Sequence, residues 1–247
     1  MEALDKILTK LKNDEHYYGA YGNKYLSASK LKDLLKNPED FIKEDEDNKA
    51  YAEGRYFHQL ILEPDKAKNL LHVDVGTRNT KAYKEACQER NLSYIMLTKE
   101  KENVEKWVAK MKSNFAFFDD IYADGNKFEV PMVGKIMGYD FKGKADIVRD
   151  DCIIDLKTTG DINRFSWSAN AFHYDIQAYI YQVLFGKPMK FYVIDKTTMV
   201  LGRFPVTQKF LDRGRDKTYR ALQVYERYFS DNASEDVADF FIEEELQ

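Results

Sequence analysis

The chain has 247 residues, is 44% hydrophobic and 14% aromatic, and sets 38 Lys and Arg against 42 Asp and Glu for a formal net charge of −4. That composition suits one large domain with a sizeable core and excludes a disordered chain, while the acidic balance does not announce a nucleic-acid binder. Cys87 and Cys152 are the only cysteines, too few for a four-cysteine zinc or iron–sulfur site and consistent with a reducing cytoplasm; no apolar run reaches the roughly 18 residues of a membrane span, and the opening "MEALDKILTKLKND" lacks the apolar stretch of a signal peptide.

In chain order, residues 1–12 carry an amphipathic helical pattern. "YLSASKLKDLLKNPEDF" predicts a helix capped by Ser27 or Ser29, with an apolar i, i+3/i+4 stripe, that stops before Pro38. "NKAYAEGRYFHQLILE" predicts a second helix ending before Pro64. Helices and loops fill about 80–120, including the exposed amphipathic "LTKEKENVEKWVAKMKSNF". From about 127 the pattern alternates: "KFEVPMV", "YDFKGKADIV" and "CIIDLKTT" read as strands. An aromatic-rich helix, "YDIQAYIYQVLFG", ends at Gly186 and Pro188. One or two strands, "KFYVIDK" and "MVLGRFPV", lead into a long helix from Thr207, and the tail is acidic. The order implies an α/β (α+β) domain with a mixed sheet flanked by helices. A single domain is expected over 1–247, with an N-terminal extension to about 24, a core over about 25–230 and an acidic tail over 231–247.

The stretch "GKADIVRDDCIIDLKTT" puts Asp146, Asp155 and Lys157 where a core would take valine or leucine. A two-residue turn at Asp150-Asp151 pairs Val148 with Ile153, Ile147 with Ile154 and therefore Asp146 with Asp155, on one face with Cβ atoms about 4.5–5.5 Å apart. Alternation puts Lys157 on that face too. Facing carboxylates repel, and a shared proton or a bound divalent cation would offset the repulsion; hard oxygen ligands suit Mg²⁺ or Mn²⁺. If the preceding hairpin turns at Met137-Gly138, Glu129 stands opposite Asp146; a longer loop would move it. The same counting faces Lys144 with Lys157. A solvated sheet face with charge pairs is the plain alternative. Three such residues in register within apolar strands favour a site.

These motifs resemble the PD-(D/E)XK nuclease superfamily: an acid, then (Asp/Glu)-x-Lys on a β-hairpin, with a helix on either side. Ala145-Asp146 stands where the superfamily has its variable Pro-Asp. "GRYFHQLILEP" resembles the helix that supplies a histidine in the RecB-like branch, which implies His58 as a metal ligand beside Asp146 and Asp155. "YDIQAYIYQ" resembles that branch's Gln-x-x-x-Tyr helix, with Gln177 and Tyr181 in support. The opening "YLSASKLKDLLKNPEDF…GRYFHQLILEPDK" and the closing "KFYVIDKTTMVLGRFPV…LDRGRDKTYRALQVYERYF" resemble phage and prophage exonucleases of the RecE (exodeoxyribonuclease VIII) type, over about 25–230.

The resemblance implies a Mg²⁺-dependent exodeoxyribonuclease, with Mn²⁺ able to substitute and no iron–sulfur cluster. It would degrade linear duplex DNA from its ends, 5′→3′, leaving 3′ overhangs for phage-type recombination. Catalysis would rest on Asp146, Asp155, Lys157 and Glu129. Ser27, Ser29, Lys30, Arg55 and Lys144 are candidate DNA contacts, although a helix cap accounts for both serines and a solvated pair for Lys144. Phe165, Trp167 and Tyr174 could stack on an unpaired base or simply pack in the core. Implied partners are DNA ends, further copies of the chain in a ring, a tetramer by resemblance, and a single-strand annealing protein, for which "DFFIEEELQ" is a candidate docking tail. The alternatives are a structure-selective or restriction-like endonuclease, a catalytically idle DNA-binding relative, and a metal-dependent phosphohydrolase acting on nucleotides.

Overall fold

The structure, a computed structural model, describes residues 3–43 and 46–241; the end of the candidate docking tail lies outside them. Chain order runs α1 (Leu4–Leu11), α2 (Asp14–Tyr18), α3 (Ala28–Lys36), α4 (Lys49–Leu62), α5 (Pro64–Ala67), β1 (His72–Val73), α6 (Lys81–Arg90), β2 (Met96–Leu97), α7 (Thr98–Ser113) and α8 (Phe115–Tyr122). The sheet-forming half follows: β3 (Lys127–Ile136), β4 (Tyr139–Val148), β5 (Ile153–Thr159), α9 (Phe165–Ala171), α10 (Tyr174–Phe185), β6 (Met189–Asp195), β7 (Leu201–Pro205) and α11 (Gln208–Tyr228).

Strands β3 to β7 form one five-stranded sheet in sequence order. Only β5 and β6 run parallel, and α9 and α10 make the crossover between them. The fold is therefore α+β with a mixed sheet flanked by helices, as the element order implied. The short parallel pair β1–β2 is additional; two residues per strand are too few for an alternation to register in the sequence.

Local chemistry fixes the helices that matter. Ser27 caps α3 by accepting the Lys30 N–H at 3.4 Å, and Asn48 caps α4 by accepting from Ala50 and Tyr51. Helix α10 ends on Gly186 in the left-handed region, φ 65°, where a glycine costs least.

Adjacent residues of the central strands feed opposite cores. On one face Ile153, Phe191 and Val193 pack with Leu31 and Leu34 of α3, Ile176 and Ile180 of α10, and Leu222 of α11. On the other, Ile154, Leu156, Tyr192 and Ile194 pack with Phe57 and Ile61 of α4 and Val104 and Trp107 of α7. Each such side chain, fully buried, contributes about 1.5–3 kcal/mol. The sheet is thus clamped between α3/α10/α11 and α4/α7, which leaves the ends of β4 and β5 to be approached by α4 from one side and α10 from the other. Among the described residues, no helix is long and apolar enough to cross a membrane.

Candidate active site

Both hairpins keep the counted register as far as their ladders run, but the counted pair Asp146–Asp155 lies beyond the β4–β5 ladder and does not form. Met137 and Gly138, both at positive φ (51° and 92°), form the tight turn that pairs Ile136 with Tyr139. Pairs Phe128–Ile147 and Val130–Ala145 leave Glu129 and Asp146 opposite one another, and Glu129 itself takes φ 49°. The chain twists at this point: Ala145 belongs to the core under α10 and Ile147 to the core under α4, although regular alternation would put both on one face. A non-glycine residue in the left-handed region costs free energy, and such residues collect at functional sites.

The β4–β5 ladder ends at Ile147–Ile154. Beyond it the strands are joined by a side chain: the Asp146 carboxylate accepts the Leu156 backbone N–H at 2.7 Å. The same Oδ2 lies 3.0 Å from His58 Nε2, and the Leu156 carbonyl lies 3.0 Å from that nitrogen. His58 Nδ1 faces the Gly54 carbonyl at 2.7 Å. All three partners are acceptors, so both ring nitrogens donate and the ring is an imidazolium. Burial alone would lower the His58 pKa, but the Asp146 charge and hydrogen bond outweigh it and push it up to about 9.

Asp155 is 1% exposed. Gln177, from α10, donates to its Oδ1 at 2.6 Å, and the Lys157 ammonium touches its Oδ2, an atom with no well-aligned hydrogen bond. Burial and the facing Asp146 charge push the Asp155 carboxyl up while Lys157 pulls it down. The Lys157 pKa is raised, since the Asp155 charge overcomes burial, so the two are held as an ion pair. Asp146 moves the other way: His58, Lys157 and the Leu156 N–H overcome burial and lower it. Glu129, buried beside Asp146, is pushed up to about 7, against the pull of Lys144. Neighbouring carboxyls pushed in opposite directions are the signature of a site arranged for chemistry.

These donors fit a divalent cation. Glu129, Asp146, Asp155 and the Leu156 carbonyl are hard oxygen ligands; Asp155 Oδ2 is buried with no hydrogen bond, and the Glu129 carboxyl, 3.9 Å from the Lys144 ammonium, is still pushed up by burial and by the Asp146 charge. Among the described residues no three His, Cys, Asp or Glu side chains stand ready-made as a cage; His58 contacts Asp146, and the Lys157 ammonium contacts Asp155.

The model of the PDDEXK-like domain of unknown function (DUF3799) matches residues 27–234. The chain belongs to this PDDEXK-like family. No curated protein matches it. Among solved structures, the PDDEXK-like chain is similar to a "Putative exonuclease" from Eubacterium rectale, with 20% identity, 95% of this chain and 96% of that one covered, and a TM-score of 0.67. It also matches an alkaline exonuclease from Laribacter hongkongensis at 11% identity, covering 85% and 92% of the two chains with a TM-score of 0.38. The first of these likenesses shows a shared fold.

The structure of the PDDEXK-like chain brings Glu129, Asp146, Asp155, Lys157, His58 and Gln177 together. Tyr181 serves the same region from behind: its hydroxyl donates to the Lys144 carbonyl at 2.9 Å and accepts the Lys144 N–H at 3.3 Å, holding β4 in place. Gly143 lets it approach, since a Cβ there would lie 2.8 Å from the Tyr181 ring.

The candidate DNA contacts are placed differently. Lys144 does not face Lys157: with the ladder ended, its buried ammonium turns to Asp14 of α2 at 2.6 Å, which neutralises it. Lys30 donates to the Phe41 carbonyl at 2.7 Å, and Arg55 pairs with Asp47 at 2.6 Å. The Ser27 and Ser29 hydroxyls lie 3.0 Å apart at the cap of α3. Phe165 is core, whereas Trp167 is 62% exposed beneath the Arg164 guanidinium.

One residue is missing from the sequence reading. Lys32, on α3, places its ammonium 5.2 Å from the centre of the Tyr174 ring, the ring on which Lys157 sits at 5.0 Å. Burial and the nearby Lys157 charge lower its pKa to about 8. Its signal is faint in sequence, because Lys30 and Lys32 are both plausible on one helix and point about 200° apart around it.

Proposed function

We propose that the protein is a divalent-metal-dependent exodeoxyribonuclease that degrades linear duplex DNA from its ends, 5′→3′, for recombination of the phage type. The observation that carries this reading is the acid cluster Glu129–Asp146–Asp155 at the parting of β4 and β5, with Lys157 and His58 against it. PDDEXK-like family membership supports nuclease chemistry over other uses of such a cluster.

The carboxylates and the Leu156 carbonyl would hold Mg²⁺ or Mn²⁺, with His58 giving up its ring proton to join them. When bound, such an ion lowers the pKa of water and offsets charge on the scissile phosphate. The chain's own groups supply the rest. Lys157 keeps its ammonium beside Asp155 and stabilises negative charge that develops on phosphate oxygens. Gln177 and Tyr181 fix Asp155 and β4 so that no reorganisation is needed at the moment of reaction. Glu129, pushed up to about 7, is suited to exchange a proton near neutral pH.

A net charge of −4 gives little general attraction for DNA, whose affinity for proteins rests on phosphate contacts. We therefore assign retention on DNA to a ring of several copies, four by resemblance, that encircles the duplex, with a single-strand annealing protein taking over the product strand.

The test uses linear duplex labelled at its 5′ ends beside a closed circle, with Mg²⁺ or EDTA. Loss of the linear form alone, with early release of short labelled products, supports the reading. Cutting of the circle moves the assignment to an endonuclease, and inert folded protein under both Mg²⁺ and Mn²⁺ overturns it.

A further inference from the structure

The two ammonium groups on the Tyr174 ring are not equivalent. Lys157 has the Asp155 carboxylate in contact. Lys32 has no carboxylate within ion-pair distance among the described residues: its close partner is the ring itself, 5.2 Å to the centre. A cation–π contact of this kind offsets only part of what a half-buried ammonium loses on leaving water. Lys32 is nevertheless held inward, in a position where Lys157 repels it and where Asp155, Asp175 and Asp33 attract it without forming an ion pair.

The surroundings of Lys32 remain positive on the side away from the acids. His173, which precedes α10 at φ 53°, has a buried Nδ1 with no hydrogen-bond partner. Beside burial, the charges of Lys217, Lys32 and Arg220 disfavour its protonation and outweigh the opposing pull of Asp175. Lys217 is committed to Asp175 at 2.8 Å, and Lys32 is not committed to any acid. The wall formed by α3 and the start of α10 thus offers a cation beside an aromatic ring, next to Lys157, with the balancing anion still to be supplied.

We propose that Lys32 and Tyr174 form a phosphate seat beside the catalytic acids, in which the Lys32 ammonium takes a non-bridging oxygen of one phosphate of the substrate strand. The assignment rests on the nuclease reading above. A phosphate fits the seat because it is an anion with several strong acceptors, which a lysine meets as a point charge without demanding a fixed geometry. In this role Lys32 is a positioning residue: it fixes the strand so that the next phosphate reaches Lys157, and the chemistry belongs to the acid cluster. The source of the phosphate is either a strand's 5′-terminal group or an internal phosphodiester, and the two are separable by experiment.

The experiment measures binding of short duplexes with 5′-phosphate or 5′-hydroxyl ends by fluorescence anisotropy in Ca²⁺, over a range of salt concentrations, alongside Mg²⁺-dependent cleavage. Wild type, Lys32→Gln and Lys32→Arg are compared after their melting temperatures are shown to match. We expect Lys32→Gln to weaken binding about tenfold and to lower the slope of log K against log salt by about one, with Lys32→Arg restoring most of both. KM should rise with kcat little changed. A loss confined to 5′-phosphorylated ends assigns the seat to the terminal phosphate; an equal loss on both ends assigns it to an internal one. Wild-type cleavage together with unchanged affinity and slope in Lys32→Gln overturns the seat and leaves the nuclease reading standing. A weaker Lys32→Gln with an unchanged slope and no rescue by Arg marks a structural lysine and also overturns it. Wild type that neither binds nor cuts removes both.

Discussion

The Gln177 amide donates to the Asp155 carboxylate at 2.6 Å, which ties α10 to β5 at the most deeply buried acid of the site. Replacing Gln177 with Ala leaves Asp155 Oδ1 unsatisfied, at a cost of about 1–3 kcal/mol. We expect a melting temperature several degrees lower, together with a drop in kcat of about tenfold as the carboxylate loses its orientation. Glu at 177 should be worse than Ala for folding above neutral pH, because it adds a third negative charge beside Asp155. Thermal melts and single-turnover rates on the two variants check this.

Glu129 should trade stability for function. Its carboxyl is pushed from an ordinary 4.5 up to about 7, chiefly by burial and by the Asp146 charge. The folded protein therefore binds this proton more tightly than the unfolded chain does, so the group's contribution to stability falls as pH rises from about 4.5 through 7. Glu129→Gln mimics the neutral form. In EDTA it should melt at or above the wild-type temperature at pH 8, with the advantage gone near pH 4.5, while Mg²⁺-dependent cleavage falls at least tenfold. An unchanged melting difference across that range would refute the assigned shift.

The His58–Asp146 contact has the same sign of pH dependence, in a higher window. The ring's pKa rises from an ordinary 6.5 to about 9, so the stabilisation is complete below about 6.5 and is lost as pH rises through 9. In EDTA, the melting temperature of wild type should exceed that of His58→Gln most at pH 6 and least at pH 9.5. A gap that widens with pH would contradict the imidazolium.

Behind the site, Gly143→Ala tests the close packing of Tyr181 on β4. The added methyl would stand 2.8 Å from the ring, and such overpacking costs about 1–3 kcal/mol. Tyr181→Phe removes the two bonds to the Lys144 backbone and should cost about 1–3 kcal/mol, with a fall of several-fold in kcat as β4 loses its support. Differential scanning fluorimetry on both variants measures the two effects.

The strands and both tight turns were legible because apolar alternation and turn residues are local signals; Met137-Gly138 alone places Glu129 across from Asp146. Asp155 and Lys157 stood out as charges inside apolar strands. What the sequence could not show was non-local. Lys144 finds its neutralising acid in Asp14, 130 positions away, so counting across an idealised ladder turned it toward Lys157 instead. The same counting assumed regular alternation through Asp146, where the left-handed Glu129 and the change of face between Ala145 and Ile147 interrupt it. Lys32 escaped notice because which lysine of "SKLK" faces the sheet depends on how α3 is rolled against α10 and α11.

The most direct measurement of the central claim is Mg²⁺-dependent cleavage of linear duplex DNA by wild type and Asp155→Asn, the second keeping the shape that Gln177 and β5 enclose. The account predicts cleavage by wild type that EDTA abolishes, and a loss of at least about a thousandfold in Asp155→Asn, in protein still folded at the assay temperature although it melts lower in EDTA because the Lys157 ammonium loses its partner. Cleavage by Asp155→Asn at the wild-type rate, or cleavage by wild type that persists in EDTA, would contradict it.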